Sequence, residues 1–319
     1  FLIVKSSTGA YNWQIKDKER GDVVLFADTD GVDTSDGVFD LTDNGFTVTG
    51  SGNATNASGQ TYIFAAFADR PGNNWDVNNI VTNEGLTTSK TQFDVVTYTG
   101  NGGTQSIDSL AFQPDLVWLK SRSASQGNIL FDSVRGVSNA LFSNNTLAET
   151  GQYQKLSSFD TDGFTLTSGT DGSTPNEGNT SSNTYVAWCW KAGGTAVSNT
   201  DGSITSSVSA NTAYGFSIVS YTGTGANATV GHGLGKSPDL IIIKNRDTAL
   251  NDAWRVWASV LAANERLVLN ETKAVGSGST LWQNTLPTSS VFYLDNESRY
   301  NTSGDDHIAY CFANVPGYQ

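Results

Sequence analysis

One short apolar pattern is written three times along the chain. The copies are Thr61-Tyr62-Ile63-Phe64-Ala65-Ala66-Phe67, Thr184-Tyr185-Val186-Ala187-Trp188-Cys189-Trp190 and His307-Ile308-Ala309-Tyr310-Cys311-Phe312. Each is rich in β-branched and aromatic residues and holds no Gly or Pro, which predicts a strand. Alternation along a strand puts Val186, Trp188 and Trp190 on one face and Ala187 and Cys189 on the other. Ile308, Tyr310 and Phe312 share a face in the same way, opposite Ala309 and Cys311. Both faces are apolar, one large and one small. That predicts a central strand buried between two layers, because an open apolar edge invites aggregation.

The neighbouring strands recur in the same order. In the middle of the chain Phe93-Asp94-Val95-Val96-Thr97-Tyr98-Thr99-Gly100 alternates as a strand, and Gly102-Gly103 marks a turn. Pro114-Asp115-Leu116-Val117-Trp118-Leu119-Lys120-Ser121-Arg122 follows as a strand ending in cations. The last third repeats both, as Phe216-Ser217-Ile218-Val219-Ser220-Tyr221-Thr222-Gly223 and Pro238-Asp239-Leu240-Ile241-Ile242-Ile243-Lys244-Asn245-Arg246. The first third shows only Leu2-Ile3-Val4-Lys5-Ser6, and its opening strand is expected from sequence before Phe1. With no Met anywhere in the chain, the expectation is a fragment of a longer polypeptide.

A further strand is predicted at Phe46-Thr47-Val48, Phe164-Thr165-Leu166 and Val291-Phe292-Tyr293-Leu294. Strands about ten residues apart with turn signals between them predict antiparallel sandwiches. The exception is 254–265, where Trp257, Val260 and Leu261 fall at helical spacing. The reading is all-β: modules at 1–75, 93–191 and 215–319, with Asn/Thr/Ser/Gly-rich linkers at 76–92 and 192–214. A repeat of this length is too long for a solenoid unit and suggests sandwiches strung like beads.

Composition narrows the partners. The chain is 37% hydrophobic and 15% charged, with a net charge of −13. The negative balance disfavours nucleic acid and anionic membrane surfaces. Apolar runs are strand-length, far short of the ~20 residues of a membrane-spanning helix.

Candidate chemistry is sparse. Cys189 and Cys311 hold the same position in two copies of one strand, where the first copy has Ala66. Equivalent positions of separate modules stand too far apart for a disulfide, which needs Cα atoms within about 7 Å. Small buried residues are expected there. Asp17 and Arg20 follow Lys5 at the distance at which Asp132 and Arg135 follow Lys120; the last third has Ala258 and Leu261 instead. Loss of both partners together leaves no lone buried charge, so a structural pair pinning a strand end is favoured over a catalytic one. The histidines, His232 and His307, form no metal-ligand pattern. The Gly-x-Ser-x-Gly elbow and the Gly-rich phosphate loop are missing, and no strand carries the paired carboxylates of a glycosidase. Asp28-Thr29-Asp30-Gly31-Val32-Asp33 supplies oxygen ligands of the kind calcium takes, but without the twelve-residue spacing and closing Glu. A solvated turn is expected, and no cofactor. Of the eight tryptophans, Trp118, Trp188 and Trp190 fall in strand cores. Trp13, Trp254 and Trp282 lie near loops and are the candidate ligand-stacking residues.

Three stretches carry a resemblance. Tyr-Thr-Gly stands at 98–100 and 221–223. Gly233-Leu234-Gly235-Lys236-Ser237-Pro238-Asp239 leads into Leu240-Ile241-Ile242-Ile243-Lys244-Asn245-Arg246. Asn301-Thr302-Ser303-Gly304 precedes Ala309-Tyr310-Cys311-Phe312-Ala313-Asn314-Val315-Pro316-Gly317-Tyr318. Together they resemble repeat modules of tailed-phage virion proteins, marine and cyanobacterial ones especially, across 93–319 and more weakly 1–75. The resemblance implies concanavalin A-like, jelly-roll sandwiches in a fibre, appendage or decoration protein on the virion surface. It says little about ligand; the expected partners are other virion proteins, copies of the chain in a trimer, and host-surface glycans. The resemblance carries over no site residues, and with no catalytic pattern in the sequence no enzyme is expected. Pro316-Gly317-Tyr318 resembles the start of a further module. The alternatives are a polysaccharide depolymerase, or a capsid or tail decoration without ligand.

Overall fold

The computed structural model describes residues 1–35, 39–42, 45–67, 92–137, 139–151, 156–167, 178–247 and 253–315. The expected linker at 76–91, the polar loop at 169–177 and Pro316-Gly317-Tyr318 lie outside them. The chain is all-β and antiparallel. The first module holds β1 (Leu2–Ser6), β2 (Gln14–Lys16), β3 (Val23–Phe26), β4 (Thr34–Ser35), β5 (Phe39–Thr42), β6 (Gly45–Val48) and β7 (Tyr62–Ala66). The second holds β8 (Phe93–Thr99), β9 (Gln105–Ile107), β10 (Leu116–Ser121), β11 (Ile129–Asp132), β12 (Leu141–Phe142), β13 (Leu156–Asp160), β14 (Gly163–Leu166) and β15 (Thr184–Trp190). Then come β16 (Val197–Asn199), β17 (Ser206–Asn211), β18 (Phe216–Thr222), β19 (Ala228–Gly231), β20 (Leu240–Asn245), β21 (Arg255–Ala258), β22 (Glu265–Val268), β23 (Gly276–Ser277), β24 (Val291–Leu294) and β25 (Asp306–Phe312).

One strand order recurs. β3-β2-β1-β7, β12-β11-β10-β15-β8 and β22-β21-β20-β25-β18 follow the same path. The register recurs too: Lys5 lies opposite Ile63, Lys120 opposite Val186 and Lys244 opposite Ile308. A smaller sheet covers the outer face of each: β5-β6, β13-β14-β9 and β19-β24.

The two faces of the repeated strand go where alternation sends them. Ala187 and Cys189 enter the core of the second sandwich, Ala309 and Cys311 that of the third. Both cysteines are buried free thiols. Val186, Trp188 and Trp190 point the other way, with Ile308, Tyr310 and Phe312, into a core that all three modules share with Ile3, Trp13, Ile63 and Phe67. Phe67, Trp190 and Phe312 are equivalent in register and meet there. Phe67 lies 5.7 Å from Trp190 and 5.2 Å from Phe312, which lie 6.3 Å apart. The modules are therefore not strung like beads; they stand around a pseudo-threefold axis. Burial of one such ring stabilises the body by ~1.5–3 kcal/mol, so the axial core is a principal source of stability.

Two expectations change. The stretch 254–265 is not helical: β21 pairs with β20 and β22, and Val260, required inward by a helical face, is 72% exposed. Ladder pairing with a formed sheet outweighs the local spacing. The stretch 192–214 carries β16 and β17, which extend the third sheet beyond β18. Its buried Ser206 and Ser209 donate to the carbonyls of Gly231 (2.8 Å) and Gly194 (2.7 Å), so polar residues serve as strand interior.

Candidate functional site

The polar groups of interest sit where modules meet. Asp17, just past β2, accepts Arg20 Nε at 2.6 Å and Trp188 Nε1 of the second module at 2.9 Å, both on Oδ2. Arg20 also donates to Ile15 O (3.0 Å) and to Asp33 (2.9 Å), and Asp33 accepts Arg122 Nε of the second module at 2.7 Å. The next boundary repeats the arrangement. Asp132 pairs with Arg135, and Asp132 Oδ2 accepts the Tyr310 hydroxyl of the third module at 2.8 Å. Arg135 donates to Glu149 at 2.9 Å, and Glu149 holds Arg246 of the third module by two bonds of 3.0 and 2.8 Å. Burial pushes the Glu149 pKa up, but the hydrogen bonds from Arg246 and Arg135 outweigh it and hold the carboxyl below its ordinary value. The Asp17 and Asp132 carboxylates are both held from two sides, by an arginine of their own module and by an aromatic donor of the next, which is the arrangement of a clasp.

The third boundary, between modules three and one, keeps the backbone and drops the charges. Val275 N–H donates to Ser7 O at 2.9 Å, as Asp33 N–H does to Arg122 O (2.9 Å) and Glu149 N–H to Arg246 O (2.7 Å). The side chains there are Ala258 and Leu261 in place of Asp and Arg, Ser7 in place of Arg, and Ala65 in place of Trp188 and Tyr310. A cavity of about 260 Å³ opens beside them, with Ile63, Ala65, Phe67, Val256 and Ala258 in its wall and the exposed Phe64 and Val260 on it as well.

The tryptophans expected to stack ligands are inside. Trp13, Trp254 and Trp282 are 4, 0 and 3% exposed. Trp13 Nε1 donates to Val268 O at 2.9 Å, from module one to module three. Trp254 Nε1 donates to Phe142 O at 2.8 Å, from three to two. Asn128, at the same register position, donates to Phe26 O at 3.1 Å, from two to one. The acceptors are equivalent as well, so the bonds form a closed ring. Trp282 stacks on Tyr300 at 4.5 Å and donates to Glu265 O at 3.0 Å. Position near a loop does not reveal burial when the loop packs on another module. Trp13 alone of the three also borders the cavity.

The remaining candidates also serve the boundaries or the cores. Asp30 accepts Ser125 Oγ of the second module at 2.6 Å, and Thr29 O accepts Lys120 Nζ at 2.8 Å, so the acidic run 28–33 is an inter-module contact. Lys5 reaches the other way, donating to Thr272 O of module three at 2.7 Å. His232 Nδ1 accepts Leu234 N–H at 3.2 Å, and His307 stacks on Tyr221 at 5.1 Å. Among the described residues no group of three or more His, Cys, Asp and Glu is placed to hold a metal ion. The sequence reading missed Asn128, Arg122 and Arg246 as boundary residues. The repeated Lys-x-Arg at 120–122 and 244–246, broken at Ser7, is the signal that could have found the two arginines.

The sequence matches the family described as domain of unknown function DUF7483 over residues 1–71 and 88–319. The chain belongs to that family. This DUF7483 chain has no match among curated proteins, nor among solved structures. For DUF7483 the geometry above is therefore the main ground for a functional reading.

Proposed function

We propose that the chain is a non-enzymatic structural protein of a virion surface, a rigid three-lobed body that joins other virion proteins. The observation that carries this reading is the use of its buried ionisable groups. Asp17, Arg20, Asp132, Arg135 and Glu149 are all committed to holding one module against the next. A catalytic acid or base needs access to a substrate proton, and these carboxylates are saturated by arginine and aromatic donors. The acidic net charge of −13 and the Asn/Thr/Ser/Gly-rich surface suit an exposed particle component. With Trp13, Trp254 and Trp282 inside, assembly rather than glycan adhesion is the better-supported role.

Cryo-electron microscopy of particles carrying the protein tests the reading. The expected result is a three-lobed density at the particle surface in contact with neighbouring virion proteins. Release of reducing sugar from surface polysaccharide by the purified chain would overturn it and favour a depolymerase.

A further inference from the structure

In the second and third modules the repeated strand is a central one: β15 is flanked by β10 and β8, and β25 by β20 and β18. In the first module β7 pairs with β1 alone among the described residues. Antiparallel alternation turns the backbone N–H and C=O of Tyr62, Phe64 and Ala66 to its far edge. Their register equivalents Tyr185, Ala187 and Cys189 face Tyr98, Val96 and Asp94 of β8. The outer layer is short in the same place. β14 pairs with β9 and β24 with β19, whereas among the described residues β6 pairs with β5 alone.

The end of the missing strand is prepared as well. Gly59, Ser182 and Gly304 share a left-handed backbone, with φ of 78°, 68° and 85°. Ser182 and Gly304 donate their N–H to Gly100 O (3.0 Å) and Gly223 O (2.9 Å), and those glycines donate back to Asn183 O (2.8 Å) and Asp305 O (2.9 Å). A side chain at either glycine would collide with a carbonyl: an added Cβ would stand 2.3 Å from Thr180 O or 2.2 Å from Thr302 O. That explains Tyr-Thr-Gly as a strand terminus. In module one, Gly59 N–H and Gln60 C=O hold the corresponding places.

Side chains show the same vacancy. Tyr98 stacks on Tyr185 at 5.2 Å and Tyr221 on His307 at 5.1 Å; Tyr62, their equivalent, has no ring over it among the described residues. Phe93 and Val95 of β8, and Phe216 and Ile218 of β18, point into the axial core. Their places beside Phe67 and Ala65 adjoin the apolar cavity of about 260 Å³. Phe64 is left 61% exposed.

We propose that the outer edge of β7 is an acceptor site for one extended strand from outside residues 1–319, reading Phe-x-Val/Ile-Val-x-Tyr-Thr-Gly. Its Phe and Val/Ile enter the cavity, its Tyr covers Tyr62, and its Gly closes on Gly59 and Gln60. This is strand addition, in which main-chain bonds give affinity and alternate side chains give specificity. A second copy of the chain fits worse, because Phe93 of β8 and Phe216 of β18 are buried in their own modules and donating either strand opens that core.

The test is titration of the purified chain with a synthetic peptide copying Gly215–Gly225, against a scrambled peptide of the same composition, with amide exchange followed by NMR. The expected result is saturable binding that slows exchange at Tyr62, Phe64 and Ala66 by about tenfold or more, with the scrambled peptide inert. Phe64→Pro removes an edge N–H at an exposed position and is expected to abolish binding while circular dichroism is unchanged. Should that variant fail to fold, the wild-type comparison with the scrambled peptide decides. The proposal is overturned if the two peptides behave alike. It is also overturned if the three amides are already protected without peptide, whether in the monomer or in a concentration-dependent dimer.

Discussion

Trp188 donates its indole N–H to Asp17 Oδ2 at 2.9 Å, across 171 residues of chain. Tyr310 repeats the bond to Asp132 at 2.8 Å across 178 residues. In both corners an aromatic donor from one module caps the carboxylate of the previous one, and that carboxylate in turn fixes an arginine. Removing the donor alone leaves a buried carboxylate lone pair unmet. Trp188→Phe is expected to lower stability by about 1–3 kcal/mol, read as a lower urea midpoint at unchanged slope. An unchanged midpoint would mean that the bond contributes nothing net.

The uncharged third corner predicts how the charged ones respond to substitution. Asp132→Ala or Arg135→Leu alone strands a buried charge and is expected to cost about 3–5 kcal/mol. The double variant copies Ala258 and Leu261, with Glu149 still held by Arg246. It is expected to cost much less than the sum of the two. A double-mutant cycle by chemical denaturation measures the coupling, and strict additivity would refute the paired-loss argument.

A shared axial core predicts one unfolding event. Sandwiches that touched only through linkers would melt separately, whereas these modules place Phe67, Trp190 and Phe312 in mutual contact. Scanning calorimetry is expected to give a single endotherm whose calorimetric and van't Hoff enthalpies agree. Three resolved transitions would contradict it.

His307 predicts an acid limb. Burial, opposed by the Asp305 carbonyl and the charges of Asp305 and Asp306, lowers its pKa from 6.5 to about 4. The unfolded chain therefore takes up the proton first as pH falls. The stabilisation is complete above about pH 6.5 and is lost progressively down to about pH 4, with a span of roughly 3 kcal/mol. His307→Phe keeps a flat ring against Tyr221 and removes the titration. On acidification from pH 7 to 4 the wild type should lose stability relative to the variant; parallel curves would exclude the histidine as the cause.

Much of the fold was legible because period-two alternation is strong where both faces are buried. Trp188 and Cys189 each went to the layer their parity assigned. The Asp132–Arg135 pair was legible from its joint loss at Ala258 and Leu261. What the sequence hid was contact between segments far apart in the chain. Ser206 and Ser209 are strand interior because distant carbonyls satisfy their hydroxyls, and hydropathy does not register such partners. Trp13 and Trp254 looked like surface rings because their acceptors, Val268 O and Phe142 O, belong to other modules. That β7 pairs with β1 alone among the described residues was partly legible, since the first third of the sequence lacks a counterpart to Phe93–Thr99.

The single covalent path through all three modules has a genetic consequence. In a ring of three identical chains every substitution appears at all three boundaries, so loss of Asp and Arg would strip all of them at once. Here each boundary has its own codons. The first-to-third junction has alanine and leucine where its two sisters have an ion pair, and each junction can drift towards a separate task without a compensating change elsewhere.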